Sequence, residues 1–387
     1  MPIFDQGYQH WNGVVGRHAW RWLAITRQGV RTQLRNRKTK YMLFVAWVPA
    51  LVLVVFLALW GLFEQKSDFI KPFMFLFSWL PEELREGPRA FRGTIWTLAF
   101  HFFLSAEVLL SLILTLMVGP DLISQDLRFN AFPLYFSRPL RRFDYFLGKL
   151  GIIAAFIGAV TIVPAAIAYV VGVAFSLDLS VLRDTWRVLV ASVGYGLVIS
   201  LVCGLAMLAF SSLSRNSRVV SGMFVALWFL SGMVSNALVM SSRRGAEGEG
   251  QAANLKWRVV SFTGNLDRVR EGMLDTDGAY DQILRAVMRG MEAAEKAEAM
   301  AQAAQGRGGL AGMLLGRGRR PRSGPEHERV DVTIGDTSFS SSDGPERIFD
   351  ALRSQFPWEW SAGILAGLCG LSLVVLSTRV RSLDRLR

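Results

Sequence analysis

Six stretches of this chain stay apolar for longer than any soluble core helix requires, and they decide most of what it can fold into. They run Tyr41 to Phe63, about Thr94 to Val118, Leu150 to Leu177, Val188 to Leu213, Val219 to Ser242 and Ser361 to Thr378. The first carries no charge, and the second is broken only by His101 and Glu107. A helix crossing a bilayer needs about 20 such residues. A buried helix of a soluble protein accounts for any one of these runs, but not for six. In lipid only helices and closed barrels pair all their backbone groups. None of the runs has the period-2 alternation of a barrel strand. The expected fold is therefore an all-α membrane protein with six transmembrane helices.

Composition agrees. Of 387 residues, 51% are hydrophobic and only 19% charged, against about 25% charged in soluble proteins. Disorder, collagen and a disulfide scaffold are excluded. The two cysteines, Cys203 and Cys369, both lie in apolar runs. They read as inert buried thiols rather than metal ligands.

The formal charge is +12, and its distribution explains it. The first forty residues carry Arg17, Arg21, Arg27, Arg31, Arg35, Arg37, Lys38 and Lys40 against Asp5. Arg128, Arg138, Arg141 and Arg142 follow the second span, Arg215 and Arg218 the fourth. Arg379, Arg381, Arg385 and Arg387 close the chain. With six spans these four segments share one side, and positive loops stay in the cytoplasm. Both termini are thus expected to be cytoplasmic in a multi-pass protein of the cell (inner) membrane. The outer loop Glu64 to Gly93 balances its charges. Topology absorbs most of the excess, so no nucleic-acid partner is called for.

Four regions follow: 1–40, a cytoplasmic N-terminus; 41–242, five spans with a loop at 119–147; 243–360, an extracytoplasmic insert; and 361–387, the last span and a basic tail. In the first, Trp20, Leu23, Val30 and Leu34 fall on one flank of a helix, with Arg17, Arg21, Gln28, Arg31 and Arg35 beside them. That pattern suits a helix lying on anionic lipid; a solvated basic arm is the alternative. The insert divides into a helical part at Leu255 to Leu274, a second rich in helix formers at Tyr280 to Gln305, and a Gly/Arg-rich linker at Gly306 to Pro325. A short strand at Val330 to Ile334 precedes a Ser-rich turn at Ser338 to Ser342. Ile70 to Leu80 is apolar but too short to span, and fits a helix on the outer surface.

Catalytic signals are thin. His10, His18, His101 and His327 are scattered, and Gly148-Lys149 lacks the upstream glycine of a phosphate loop. The chain is not expected to be an enzyme or to hold a cofactor. Glu107 is the sharpest single residue, because an ionised side chain mid-way along a span is costly. Ser111 and Thr115 follow at four-residue steps and extend a polar stripe. Two roles are open: a substrate pathway through Glu107, Ser111 and Thr115, or a carboxyl hydrogen-bonded to a neighbouring helix. Gly363 and Gly367, and Gly151 with Ala155 and Ala159, suit close helix packing.

The loop from Gly119 to Lys149 reads GPDLISQDLRFNAFPLYFSRPLRRFDYFLGK. Pro120 is expected to end the second span and Asp121 to cap a short new helix. Leu122, Ile123, Leu127 and Phe129 give that helix apolar contact points. Arg138-Pro139 turns the chain back toward the membrane. A docking knob and an ordinary loop are both open on these grounds.

This layout resembles the permease subunits of ABC-2-type exporters. The resemblance rests on Asp121, Asp126, Ser137, Arg138, Pro139, Gly148 and Lys149, and on the ending from Arg379. It spans about 14–240 and 356–387. Asp126 stands where such permeases usually carry Glu, and Asn130-Ala131-Phe132 replaces a Gly-Thr-Leu-like turn. The resemblance implies a coupling helix formed by Asp121, Leu122, Ile123, Gln125, Asp126, Leu127 and Arg128, seated in a separate ABC ATPase subunit that binds ATP and Mg. The turn would be Ser137, Arg138, Pro139, Gly148 and Lys149, and Arg17 to Lys40 would be an elbow helix. A second permease copy would complete the assembly. The long insert suggests an alternative in which an extracytoplasmic protein partner on 243–360 receives the motion and no solute crosses.

Overall fold

The apolar runs must be helical where they meet lipid, since each backbone group has to find a partner within its own segment. The computed structural model describes residues 20–77, 84–85, 87–131, 142–176, 178, 180–245, 257–290, 293, 296, 300, 332–334, 337–339 and 356–383. The helices are α1 (Arg21–Leu34), α2 (Arg37–Ala46), α3 (Val48–Glu64), α4 (Arg92–Val118), α5 (Asp121–Arg128), α6 (Arg142–Val160), α7 (Ile162–Ser176), α8 (Ser180–Leu213), α9 (Ser217–Gly245), α10 (Phe262–Leu274) and α11 (Trp358–Leu383). Residues 276–290 are also helical. Six helical stretches are long and apolar enough to cross a membrane: Arg37–Glu64, Pro88–Arg128, Arg142–Ser176, Ser180–Leu213, Ser217–Ser241 and Trp358–Arg379. They coincide with the six runs of the sequence.

Two spans are jointed, and proline explains both joints. α2 passes to α3 at Trp47, beside Pro49, and α6 to α7 at Thr161, before Pro164. A proline removes one helical N–H and crowds the carbonyl four residues back. α8 is the axis of the bundle and packs on α4, α6, α7, α9, α10 and α11. α9 is the span least buried inside the chain. Trp60 and Trp96 are wholly enclosed, and Trp96 meets Tyr169 edge-on at 5.4 Å between ring centres.

α1 lies against α6 through a face the sequence reading had not singled out. Val30 and Leu34 pack on the core, but Trp20 and Leu23 are exposed. The contact runs instead through Trp22, Ile25, Thr26 and Gly29. A Cβ on Gly148 would stand 2.7 Å from the Ile25 Cβ and 3.0 Å from the Trp22 carbonyl oxygen. The Thr26 hydroxyl donates to the Gly148 carbonyl across this seam (2.9 Å). Small residues permit the approach, and a hydroxyl then fixes the register.

At the end of the bundle away from α5, Arg92 opens α4 with its side chain buried. Its Nε donates to Glu64 at 3.1 Å, and a second guanidinium nitrogen also meets that carboxylate. The same group reaches Asp178 and Asp184, each at 3.3 Å. One fork thus joins α3, α4 and the start of α8. Asp68–Phe77 forms a 3₁₀ helix with Pro72 inside it and Phe69 and Phe75 exposed. The helix expected at Ile70 to Leu80 is thus a tight one up to Phe77, and 78–80 lie outside the described residues.

The first part of the insert packs against the spans. The Phe262 N–H donates to the Ser231 hydroxyl at 3.0 Å, and the Ser235 hydroxyl donates to the Trp257 carbonyl at 3.0 Å. Ser231 is about 20 Å along α9 from Ser217, so the chain re-enters the bundle before α10 begins. α10 is capped by Ser261, which accepts from the Gly264 N–H at 3.1 Å. Of the helix expected at Leu255 to Leu274, Phe262–Leu274 is present, with a 3₁₀ turn at 257–260 before it and 255–256 outside the described residues. β1 (Val332–Ile334) and β2 (Thr337–Phe339) pair antiparallel. Ser338 therefore belongs to a strand, opposite Thr333, rather than to the expected turn. The linker Gly306 to Pro325, Arg17 and His327 lie outside the described residues, as does 291–305 apart from single helical positions at 293, 296 and 300.

Candidate functional site: the α5 seat

α4 ends at Val118, and Gly119 and Pro120 keep helical backbone angles while the chain breaks to α5. A new helix leaves its first N–H groups without partners. The sequence had Asp121 satisfying them. Asp121 is instead the first residue of α5, Pro120 holds the cap position, and no local side chain caps the helix. The missing acceptor comes from α8. The Ser211 hydroxyl accepts from the N–H groups of Ile123 (3.0 Å) and Ser124 (2.9 Å). It donates in turn to the Pro120 carbonyl (2.9 Å). Asp121 keeps a lesser role, a negative charge at the positive end of the α5 dipole.

Leu122, Ile123 and Ser124 form the buried face of α5. The Ser124 hydroxyl donates to the Pro120 carbonyl (2.6 Å) and lies 3.1 Å from the Ser217 hydroxyl at the start of α9. On the other flank, Lys149 Nζ donates to the Leu122 carbonyl (2.6 Å) and pairs with Asp126 at 2.8 Å. The enclosed Tyr145 hydroxyl donates to the same Asp126 oxygen (2.5 Å), and Lys149 stands 5.4 Å over the Tyr145 ring. The Gly148-Lys149 pair thus has two physical jobs. Gly148 admits α1, and Lys149 grips α5.

The expected coupling residues divide accordingly. Leu122, Ile123 and Asp126 face the bundle. Gln125 and Arg128 are exposed, with Asp121 and Leu127 half-exposed. Phe129, just beyond, is 71% exposed, with the Arg128 guanidinium 5.6 Å over its ring. Asn130 takes a left-handed conformation (φ 51°) and the Ala131 N–H donates to the Asp126 carbonyl (2.9 Å). That closes the helix as a glycine would, and asparagine tolerates the geometry. Ser137, Arg138 and Pro139 lie outside the described residues.

Glu107, Ser111 and Thr115 do share one stripe of α4, and all three are enclosed within the chain. Thr115 donates to the Ser111 carbonyl (2.7 Å). Neither Glu107 carboxyl oxygen nor the Ser111 hydroxyl meets a hydrogen-bond partner among the described residues. The next step of the stripe is Gly119, packed against Met207 of α8 at the root of α5. His101 lies apart from Glu107, with its ring edge-on to Tyr280.

A second cluster fixes α10. The Tyr195 hydroxyl, within α8, donates to the Leu266 carbonyl (3.0 Å). Arg268 donates to the Phe356 carbonyl (2.7 Å) and pairs with Glu271 (3.3 Å) and Asp277 (3.4 Å). Arg270 pairs with Asp267 (2.7 Å). Among the described residues no three His, Cys, Asp or Glu side chains converge on a metal position. No protein-family model matches the chain, and no curated protein matches it either.

Proposed function

We propose that this chain is the membrane-spanning permease subunit of an ATP-driven ABC transporter of ABC-2 type, with both termini cytoplasmic. It couples hydrolysis on a separate ATPase subunit to export of a solute. The observation that carries the reading is the seat of α5. It is a separate short helix at the end of the bundle, fastened by hydroxyls and an ion pair to α6, α8 and α9. Its outer face of Gln125, Arg128 and Phe129 is left open. A knob of that kind transmits force only if something grips it, and this chain offers no phosphate loop of its own. ATP-driven closure of the motor would shift the bundle between two states that bind substrate differently. The test is co-purification. Phe129→Asp and Arg128→Glu are expected to detach the ATPase subunit without lowering the melting temperature. Undiminished co-purification and ATP turnover would overturn the docking role.

A second reading has its own support. α10 is buried between spans and tied to α8, and the Glu107 stripe is closed off within the chain. The bundle's motion would then work on an extracytoplasmic protein partner bound to 243–360, with no solute crossing. Glu107→Gln separates the two. A change in stimulated ATP turnover or efflux favours transport, and wild-type behaviour of both favours transmission.

A further inference from the structure

On the flank of α6 away from Tyr145 and Lys149, a groove of about 550 Å³ opens between α6, α8 and α11. Its wall is apolar: Leu150 of α6, Leu205 of α8, and Leu373 and Val374 of α11. Its polar groups gather at one end, where Arg142 begins α6 and Ser377 stands on the last turns of α11. Arg379 follows two residues on. From Arg142 to Leu150 the groove descends about 12 Å along α6. It is open at the side, and Leu373 and Val374 are each more than half exposed.

We propose that this groove holds one acyl chain of an anionic phospholipid, with its phosphate at Arg142. The chemistry is graded in the way a lipid is. Methyl groups line the depth where the hydrocarbon lies, and a guanidinium stands where the spans emerge. Water gains nothing by filling such walls. Cationic ends of inter-helix grooves select anionic headgroups. Arg142 brings a guanidinium, whose five N–H donors can serve a phosphate beside another acceptor. The lipid braces the helix whose opposite flank grips α5, so its occupancy bears on how firmly that helix is held. The proposal does not depend on the identity of the motor.

The full-length protein, with its co-purifying subunits, is placed in nanodiscs of phosphatidylglycerol or phosphatidylcholine, and native mass spectrometry counts retained lipid. The wild type is expected to keep phosphatidylglycerol preferentially. Arg142→Gln is expected to weaken that retention about five-fold, the worth of one interfacial cation. Val374→Trp, which fills the groove, is expected to abolish it. Leu371→Trp, on an exposed α11 position outside the groove, is the folding control and is expected to retain lipid. Equal retention of the two lipids would overturn the proposal. So would undiminished phosphatidylglycerol on the Val374→Trp protein. Efficient cross-linking of Val374→Cys between two copies in native membranes would also overturn it, because a second chain would then occupy the groove.

Discussion

Tyr195 and Ser211 stand on the same helix, about 24 Å apart along α8, and each holds an element from elsewhere in the chain. Ser211 caps α5 and Tyr195 holds α10. A displacement of α5 therefore reaches the re-entrant insert through one continuous helix, without crossing a loop.

Removing the cap tests the lower joint. Ser211→Ala leaves the Ile123 and Ser124 amides without their acceptor, while Ser124 still serves the Pro120 carbonyl, a loss of about 1 kcal/mol on the scale of helix caps. Amide exchange over Asp121–Arg128 is expected to quicken several-fold, while α4 is unchanged. Unaltered exchange in α5 would show that the cap does not hold it.

The upper joint has its own variant. Tyr195→Phe keeps the ring and removes one hydrogen bond, worth about 1 kcal/mol. Proteolysis or exchange within Phe262–Leu274 is expected to increase, with α5 unaffected. A uniform loss of protection across the bundle would argue against a local tie.

Breaking the ion pair tests the grip of α6. Lys149→Met leaves the half-buried Asp126 carboxylate with the Tyr145 hydroxyl but without its cation, and is expected to destabilise by about 2 kcal/mol. The double variant Asp126→Leu with Lys149→Met removes both charges and is expected to recover much of that loss. Additive melting shifts would mean that the two groups act separately.

Two sets of glycines give opposite expectations. Gly148→Leu forces the Ile25 side chain and the Trp22 carbonyl aside and is expected to cost about 1–3 kcal/mol. Among the described residues, no atom outside their own helix turn lies within 4 Å of where a Cβ on Gly363 or Gly367 would stand. Leucine at either is expected to leave the melting temperature of the single chain unchanged. Any packing role for that pair lies beyond the described residues.

Asp178 sets a pH window. Hydrogen bonds from Ser180, and then the Arg92 guanidinium, lower its pKa from 3.8 to about 2. A carboxylate with a lowered pKa stabilises the fold fully above its ordinary pKa, and the contribution fades as pH falls through the lowered one. The melting difference between wild type and Asp178→Asn is expected to be flat from pH 7 to pH 5 and to shrink below about pH 4. A difference that changes near pH 6 would point to another group.

The spans were legible because the bilayer's demand is local: each run of apolar residues announces itself. The site of α5 was legible for a similar reason, since Pro120 breaks one helix and the residues after it start another. What closes the seat was not. Ser211 lies in a different span, and a serine in an apolar run has no spacing that tells which amides it will meet. Asp121 offered a cap by type, yet Pro120 already occupied the position. Asn130 looked like a departure and serves the same left-handed geometry. The seam of α1 with α6 was not legible, because Gly29, Gly148 and the Thr26 hydroxyl decide which face approaches. Glu64 and Arg92 balanced as loop charges in the sequence, and their enclosure against each other follows only from how α3 and α4 come together.

Around Pro120 the seat sets the hydroxyls of Ser124, Ser211 and Ser217 beside the buried side chains of Leu122 and Ile123. A hydroxyl turns about a single bond and can give and take a hydrogen bond at once. A short helix resting on three such groups can swivel by exchanging partners, without stripping any of them bare. On the proposed function, that exchange would let α5 turn while still passing on thrust.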